Sequence, residues 1–194
     1  EMQMTDYSDV DFIEIFNNPE PLKEVNEPAL LLWEKLILAG IPYKLIGGVN
    51  FYALREIKDV LAYLKTIDNG RDEIAVRRVI NVPKRGIGAT TLNRVGDYAE
   101  AYGIGFYDAL VRAEEIPNLG RSGGKIKPFT TLIAAMQSKL GTMSLVELTK
   151  ELLEETGYVK ELEAEGTEEA KGRIENIDEL LSKIAAYEES VDEP

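Results

Sequence analysis

The sequence predicts a mainly α-helical domain preceded by a small β-α-β element. Three observations carry this expectation. Apolar residues recur three to four apart from Leu54 to Ile67 and from Ile174 to Ile184, the spacing of one helical face. Helix end signals recur in the same part of the chain: Ser144 with Glu147 three residues on, and Gly103 directly after a helical stretch. Strand-like runs, in contrast, occur only before Gly47-Gly48.

In chain order, Val10 to Phe16 (VDFIEIF) reads as a short strand, and the proline-rich stretch Asn17 to Pro28 as a loop. Ala29 to Ala39 is apolar over most of a helical surface and includes Trp33, a core residue in this reading; Gly40 stops it. Ile41 to Ile46 is a second strand. After Gly48 the pattern turns helical: Leu54 to Ile67, a turn at Asp68-Asn69-Gly70, Asp72 to Ile80 ended by Pro83, Thr90 to Tyr102, and Phe106 to Glu115. Ile116 to Lys127, with Pro117, Gly120, Gly123 and Gly124, reads as a loop. Helices follow over Phe129 to Leu140, Leu145 to Thr156, Tyr158 to Glu165 and Glu168 to Tyr187, the last with Ile174, Ile177, Leu181 and Ile184 on one face. The expected organisation is an α/β remnant over 1–48, a helical domain over 49–188 and a frayed acidic tail over 189–194.

Composition narrows the chemistry. There is neither cysteine nor histidine, so thiolate and imidazole catalysis are excluded, as are zinc sites built on those ligands. No apolar run approaches the roughly 18 residues that suggest a membrane span, and a cytoplasmic origin fits. The acid run Glu161 to Glu169 reads as a solvated face, and Gly123-Gly124-Lys125 lacks the spacing of a nucleotide-binding loop. Arg173, Glu175 and Asn176 read either as surface residues or as an interaction spot.

Charge distribution says more than total charge. The formal net charge is −13, yet Ile74 to Gly96 and Ile116 to Val146 contain no Asp or Glu. Together they hold nine of the 22 cations and none of the 35 acids. The first contains NVPKRGIGATTL, Asn81 to Leu92. Gly86 and Gly88 permit a sharp turn and close approach to another surface, and Ile87 can anchor the turn inward. The helix that follows presents free N–H groups and the positive end of its dipole, Thr90 and Thr91 add hydroxyls, and Lys84 and Arg85 add long-range attraction. This is a site for one or two DNA phosphates without base readout; the alternative is a plain helix–turn–helix corner. The second stretch, Asn118 to Pro128 with Arg121 and Lys125, reads either as a second backbone contact or as a flexible glycine loop.

Three stretches also carry a family resemblance. IPYKLIGGVNFYALREIKDVLAYLK (Ile41 to Lys65), RVINVPKRGIGATTL (Arg78 to Leu92) and GRIENIDELL (Gly172 to Leu181) resemble, in order and spacing, successive motif regions of the UvrD/PcrA/Rep DNA helicases. The likeness covers about Gly40 to Tyr187. It implies the accessory subdomain called 2B, with a sliver of the second motor subdomain before it, in an ATP-driven superfamily 1 helicase moving 3′ to 5′. It also implies that Gly86, Ile87, Gly88 and Thr91 contact duplex backbone at a single-strand junction; Gly47 and Gly48, at the boundary between the two parts, are the expected hinge. The family's phosphate-binding loop, Mg-binding acidic motif and later arginine motif are absent from this sequence; the resemblance places them beyond its ends, with ATP and Mg acting in the parent protein and no cofactor in this chain. DFIEIFNNPEPLKEVNEP (Asp11 to Pro28) departs from the family's Tyr-Arg-Thr-Asn-type motif and lacks its arginine. The expected function is therefore duplex binding alongside the remaining motor subdomains, and a protein-interaction or autoregulatory module is the rival.

Overall fold

The structure is a computed structural model and describes residues 51–192; the expected β-α-β element, Trp33 and the Gly47-Gly48 hinge lie outside those residues. The chain divides into two compact units between Leu54 and Arg55. A 3₁₀ turn over Phe51–Ala53 belongs to the first. The second is helical, with no strand among the described residues.

Its helices are α1 (Arg55–Asp68), α2 (Glu73–Val79), α3 (Ala89–Tyr102), α4 (Phe106–Val111), α5 (Arg121–Gln137), α6 (Leu145–Thr156), α7 (Tyr158–Glu165) and α8 (Glu168–Asp192). Local chemistry sets most boundaries. The Asp72 side chain accepts from the Ala75 amide and starts α2. Ser144 and Glu147 form a complete capping box on α6. Gly103, Gly157 and Gly166 end α3, α6 and α7 in the left-handed conformation. Replacing Ser144 with Ala is expected to lower stability by about 1 kcal/mol, read from a thermal or urea melt.

The main core draws Tyr63 and Ile67 of α1, Val76 and Val79 of α2, Val95 of α3, Leu110 of α4, Phe129 and Ile133 of α5 and Leu152 of α6 into one cluster. On α1 the buried stripe runs through Ile57, Val60, Tyr63 and Ile67, so Leu61 and Leu64 sit at its margin rather than at its centre. On α8 it runs through Ala170, Ile177, Leu180 and Ile184, packed on α1, α6 and α7; Leu180 takes the place expected of Leu181.

Three expectations are corrected. Ile116 to Lys127 is not loop throughout, because α5 begins at Arg121 and carries Pro128 inside it. Ile126, Phe129, Ile133 and Met136 are all buried to 1% exposure or less, and burying Ile126 draws the first turns into the helix despite two glycines and a proline. Phe106 to Glu115 is not one helix; it breaks at Arg112, and Ala113–Glu115 continues as a 3₁₀ turn. Helix α8 continues past Glu188 to Asp192. Its late turns are held by Glu188, whose carboxylate accepts from the amides of Leu145 and Val146 at the start of α6.

A buried polar knot joins the first and last helices of the unit. Asp59, at 2% exposure, accepts a hydrogen bond from the Tyr158 hydroxyl at 2.9 Å. Its other oxygen lies 2.7 Å from Arg78 Nε, an ion pair in which Nε–H is not aimed for a hydrogen bond. Arg78 also donates to the Arg55 carbonyl, and Asn176 donates to buried Glu56 at 2.7 Å. The neighbour that Asn176 meets therefore lies within the chain. Burial, with the Asp59 charge beside it, pushes the Tyr158 phenol well above its ordinary pKa. A raised phenol pKa favours the protonated fold, so this contribution is intact below about pH 10 and declines as pH rises above that. Unfolding free energy measured from about pH 9 to 11 is expected to fall less steeply in Tyr158→Phe than in the wild type.

Candidate nucleic-acid interface

The turn between α2 and α3 is built from the inside outwards. Residues 79–83 close the C-terminal end of α2, with a cis peptide between Val82 and Pro83. The carboxamide oxygen of Asn81 then accepts from two later amides, Arg85 N at 2.8 Å and Ile87 N at 3.1 Å. Ile87, 2% exposed, is seated in the core as expected of an inward anchor. With these groups engaged inside, Lys84, Gly86, Gly88 and Thr90 are left at the surface.

The two glycines have different reasons. Gly86 has φ +71°, a left-handed conformation that strains any other residue, and a Cβ there would come within 3.0 Å of Lys125 Nζ. The internal geometry accounts for this glycine. Gly88 is extended, φ −95° and ψ 170°, and a Cβ on it would meet no atom within 4 Å. Nothing in the fold requires glycine at 88. It is the N-cap of α3 with no side-chain cap, and the first turn of α3 carries no acid. Helix α6 differs: its first amides already receive the carboxylate of Glu188. The start of α3 thus offers uncapped N–H donors and the positive end of a helix dipole at an exposed surface.

The two acid-free segments meet here. Lys125 of α5 donates to the Gly86 carbonyl at 3.2 Å, which ties the first turn of α5 to the glycine turn. Arg121 opens the same helix.

Most of the cations counted in those segments serve the fold. Arg77 pairs with Glu73 and stacks over the Phe106 ring at 4.0 Å. Arg78 pairs with Asp59, Lys127 with Glu114 and Lys139 with Glu151, and Arg94 donates to the Asn118 carbonyl. Arg85 is half-buried and directed inward. Its Nη1 lies 3.1–3.2 Å from the carbonyl oxygens of Val79, Ile80, Val82 and Pro83, its Nη2 donates to the Tyr63 hydroxyl at 2.8 Å, and its guanidinium faces the Phe129 ring at 5.5 Å. Lys84, in contrast, is exposed and has no ion pair or side-chain hydrogen bond among the described residues. Thr90 is exposed, whereas Thr91 is 9% exposed and presents little surface.

The sequence-level candidates therefore separate into an outward set, Lys84, Gly86, Gly88, Thr90 and Lys125, and an inward set, Arg85, Ile87 and Thr91. Asn81 was not among the candidates, although an Asn ahead of a tight turn is a readable signal for side-chain-to-amide bonding. An open groove of about 720 Å³ between α5 and α6 reaches Arg85 of the turn and is otherwise lined by Lys127, Thr131, Met136, Lys139 and Glu151, among others. Its lysines are paired with acids, so it offers no comparable set of free donors.

Fold and turn together define a class, a helical unit in which, among the described residues, the α2–α3 turn joins exposed glycines to an uncapped helix start inside an acid-free segment. The chain belongs to the UvrD-like helicase C-terminal domain family, which it matches over residues 22–194. It is 38% identical over 168 residues to the ATP-dependent DNA helicase PcrA of Bacillus subtilis, covering 87% of this chain and 23% of that protein. It is 41% identical over 180 residues to the ATP-dependent DNA helicase UvrD1 of Mycobacterium tuberculosis, covering 91% of this chain and 23% of that protein. PcrA of Staphylococcus aureus is 37% identical over 169 residues, at 87% and 23% coverage. The chain thus spans under a quarter of the length of these relatives.

Proposed function

We propose that this chain is the duplex-binding accessory region, of the 2B type, of an ATP-dependent 3′–5′ DNA helicase. The observation that carries the reading is the start of α3: an exposed, uncapped helix N-terminus whose N-cap glycine the fold does not require, beside the unpaired cation Lys84. Amides and a lysine without a base-reading side chain suit the phosphodiester backbone. In the whole protein the motor subdomains pull one strand, while this region grips the duplex ahead and sets its orientation. ATP and Mg²⁺ act in that motor. Among the described residues there is no group of three or more acidic side chains placed to hold a metal ion. No helix among them is long and apolar enough to cross a membrane.

Lys84 is the charge to test, because replacing Arg85 would also remove internal hydrogen bonds. Lys84→Glu is expected to weaken duplex binding about tenfold at low salt and to reduce the log–log salt slope by about 0.9, with melting unchanged. Wild-type affinity in that variant would sink the proposal. Failure of the wild type to bind duplex at any salt, with capture of a protein partner instead, would favour an interaction module.

A further inference from the structure

We propose that Arg85 is a positioning residue: it holds the glycine turn in its phosphate-receptive form and does not itself touch DNA. The inference rests on the duplex-binding reading of the turn and adds to it which residues prepare the site.

The geometry around Arg85 is that of a cation in an oxygen cage. Four carbonyl oxygens, of residues 79, 80, 82 and 83, lie 3.1–3.2 Å from a single guanidinium nitrogen. They belong to the C-terminal end of α2 and the segment after it; the Val79 oxygen also accepts from the Val82 amide and the Val82 oxygen from the Tyr63 hydroxyl, which leaves Arg85 to complete the set. These oxygens and the negative end of the α2 dipole lie next to a site proposed to hold a phosphate, and left bare they would repel it. Arg85 covers them with positive charge from within.

The same side chain fixes direction. Arg85 N is held by Asn81 Oδ1, while its guanidinium reaches back to residues 79–83, so the segment 79–85 closes on itself like a clasp. Two outside elements hold the clasp: Tyr63 of α1, which accepts from Arg85 Nη2 and donates to the Val82 carbonyl, and the Phe129 ring of α5. Asn81 also holds Ile87 N. The inward amides of 85 and 87 are thereby occupied, and the chain leaves the clasp at Gly86 in one direction. A planar fork that serves five oxygens at once has no substitute in lysine, which brings the same charge as a single ammonium.

The test uses the full chain, a fluorophore-labelled blunt DNA duplex over a salt series, and amide hydrogen exchange without DNA. In Arg85→Lys, exchange at the Arg85 and Ile87 amides is expected to speed up about tenfold, and duplex affinity to fall about tenfold. The salt slope is expected to stay at the wild-type value, because no phosphate–cation contact is lost; Lys84→Met, in contrast, should reduce it by about 0.9 with exchange unchanged. A thermal melt sets a temperature at which every variant is folded, and Arg85→Met serves as a second variant with the charge removed. A direct phosphate ligand would behave otherwise: Arg85→Lys would keep both affinity and exchange rates, and Arg85→Met would lose about 0.9 of slope, and either result overturns the positioning role. Because exchange needs no DNA, a wild-type chain that binds no duplex would overturn the functional reading alone, whereas unchanged exchange in Arg85→Lys would overturn this inference alone.

Discussion

Gly88→Asp is expected to move stability and duplex affinity in opposite directions. Residue 88 is the N-cap of α3, already in the extended conformation that capping residues adopt, and a side chain there meets open space. Aspartate can accept from an amide of the first turn, and its charge sits at the positive end of the helix dipole. Capping over glycine and the dipole together stabilise by about 0.5–1 kcal/mol, so the melting temperature should rise by about 1–4 °C. The same carboxylate occupies the donors assigned to the phosphate and repels it. With charge-assisted hydrogen bonds at about 1.5–3 kcal/mol each, duplex affinity should drop about a hundredfold or more. Gly88→Asn caps without the charge and should fall between Asp and wild type in affinity. Paired melts and fluorescence anisotropy of the three proteins decide the matter: a stabilised Gly88→Asp that binds duplex as well as wild type would place the phosphate elsewhere. An ordinary destabilising mutation lowers both quantities, and this variant separates them.

The sequence made the helices legible where a local rule operates: a capping box at Ser144 and Glu147, left-handed glycines after α3, α6 and α7, and a proline ending the segment after α2. It was less informative where tertiary burial overrides local preference, as at α5, whose glycines and Pro128 read as a loop although Ile126 already keeps step with Phe129 and Ile133. Within the interface, the location of the turn and Ile87 as its anchor could be approached from residue types alone, whereas the different reasons for Gly86 and Gly88 depend on backbone angles that residue type does not give. Charge could not be. A count of cations does not say which ones face an internal partner, and Arg85 looks the same on paper as Lys84. Long-range pairing is equally silent: nothing in the local sequence of Glu56 and Asp59 marks them as buried, yet both are, because Asn176, Arg78 and Tyr158 arrive from residues far along the chain.

Those two carboxylates set the largest expected effect on stability. Asp59→Ala leaves the Tyr158 hydroxyl without its acceptor and the half-buried Arg78 guanidinium without its counter-charge. Breaking one side of a buried pair in this way costs about 3 kcal/mol, toward the low end of the usual range because Arg78 retains some access to water. For a helical unit of this size that corresponds to a fall in melting temperature of about 6–12 °C. The position of the knot makes the consequence more than thermal. Glu56 and Asp59 lie in EIKD, Arg78 opens RVINVPKRGIG, and Asn176 closes GRIEN, so three stretches far apart in sequence meet in one cluster. Arg78 shares α2 with Val79, whose carbonyl Arg85 caps, so the knot and the glycine turn both hold the last turn of one short helix. Loosening α2 at Arg78 should therefore also loosen the turn. Amide exchange at Ile87 is expected to quicken in Asp59→Ala at a temperature where the unit remains folded, with a smaller change in Asn176→Ala, whose contact lies between α1 and α8. Equal protection of Ile87 in all three proteins would mean that the knot holds the helices together without supporting the turn.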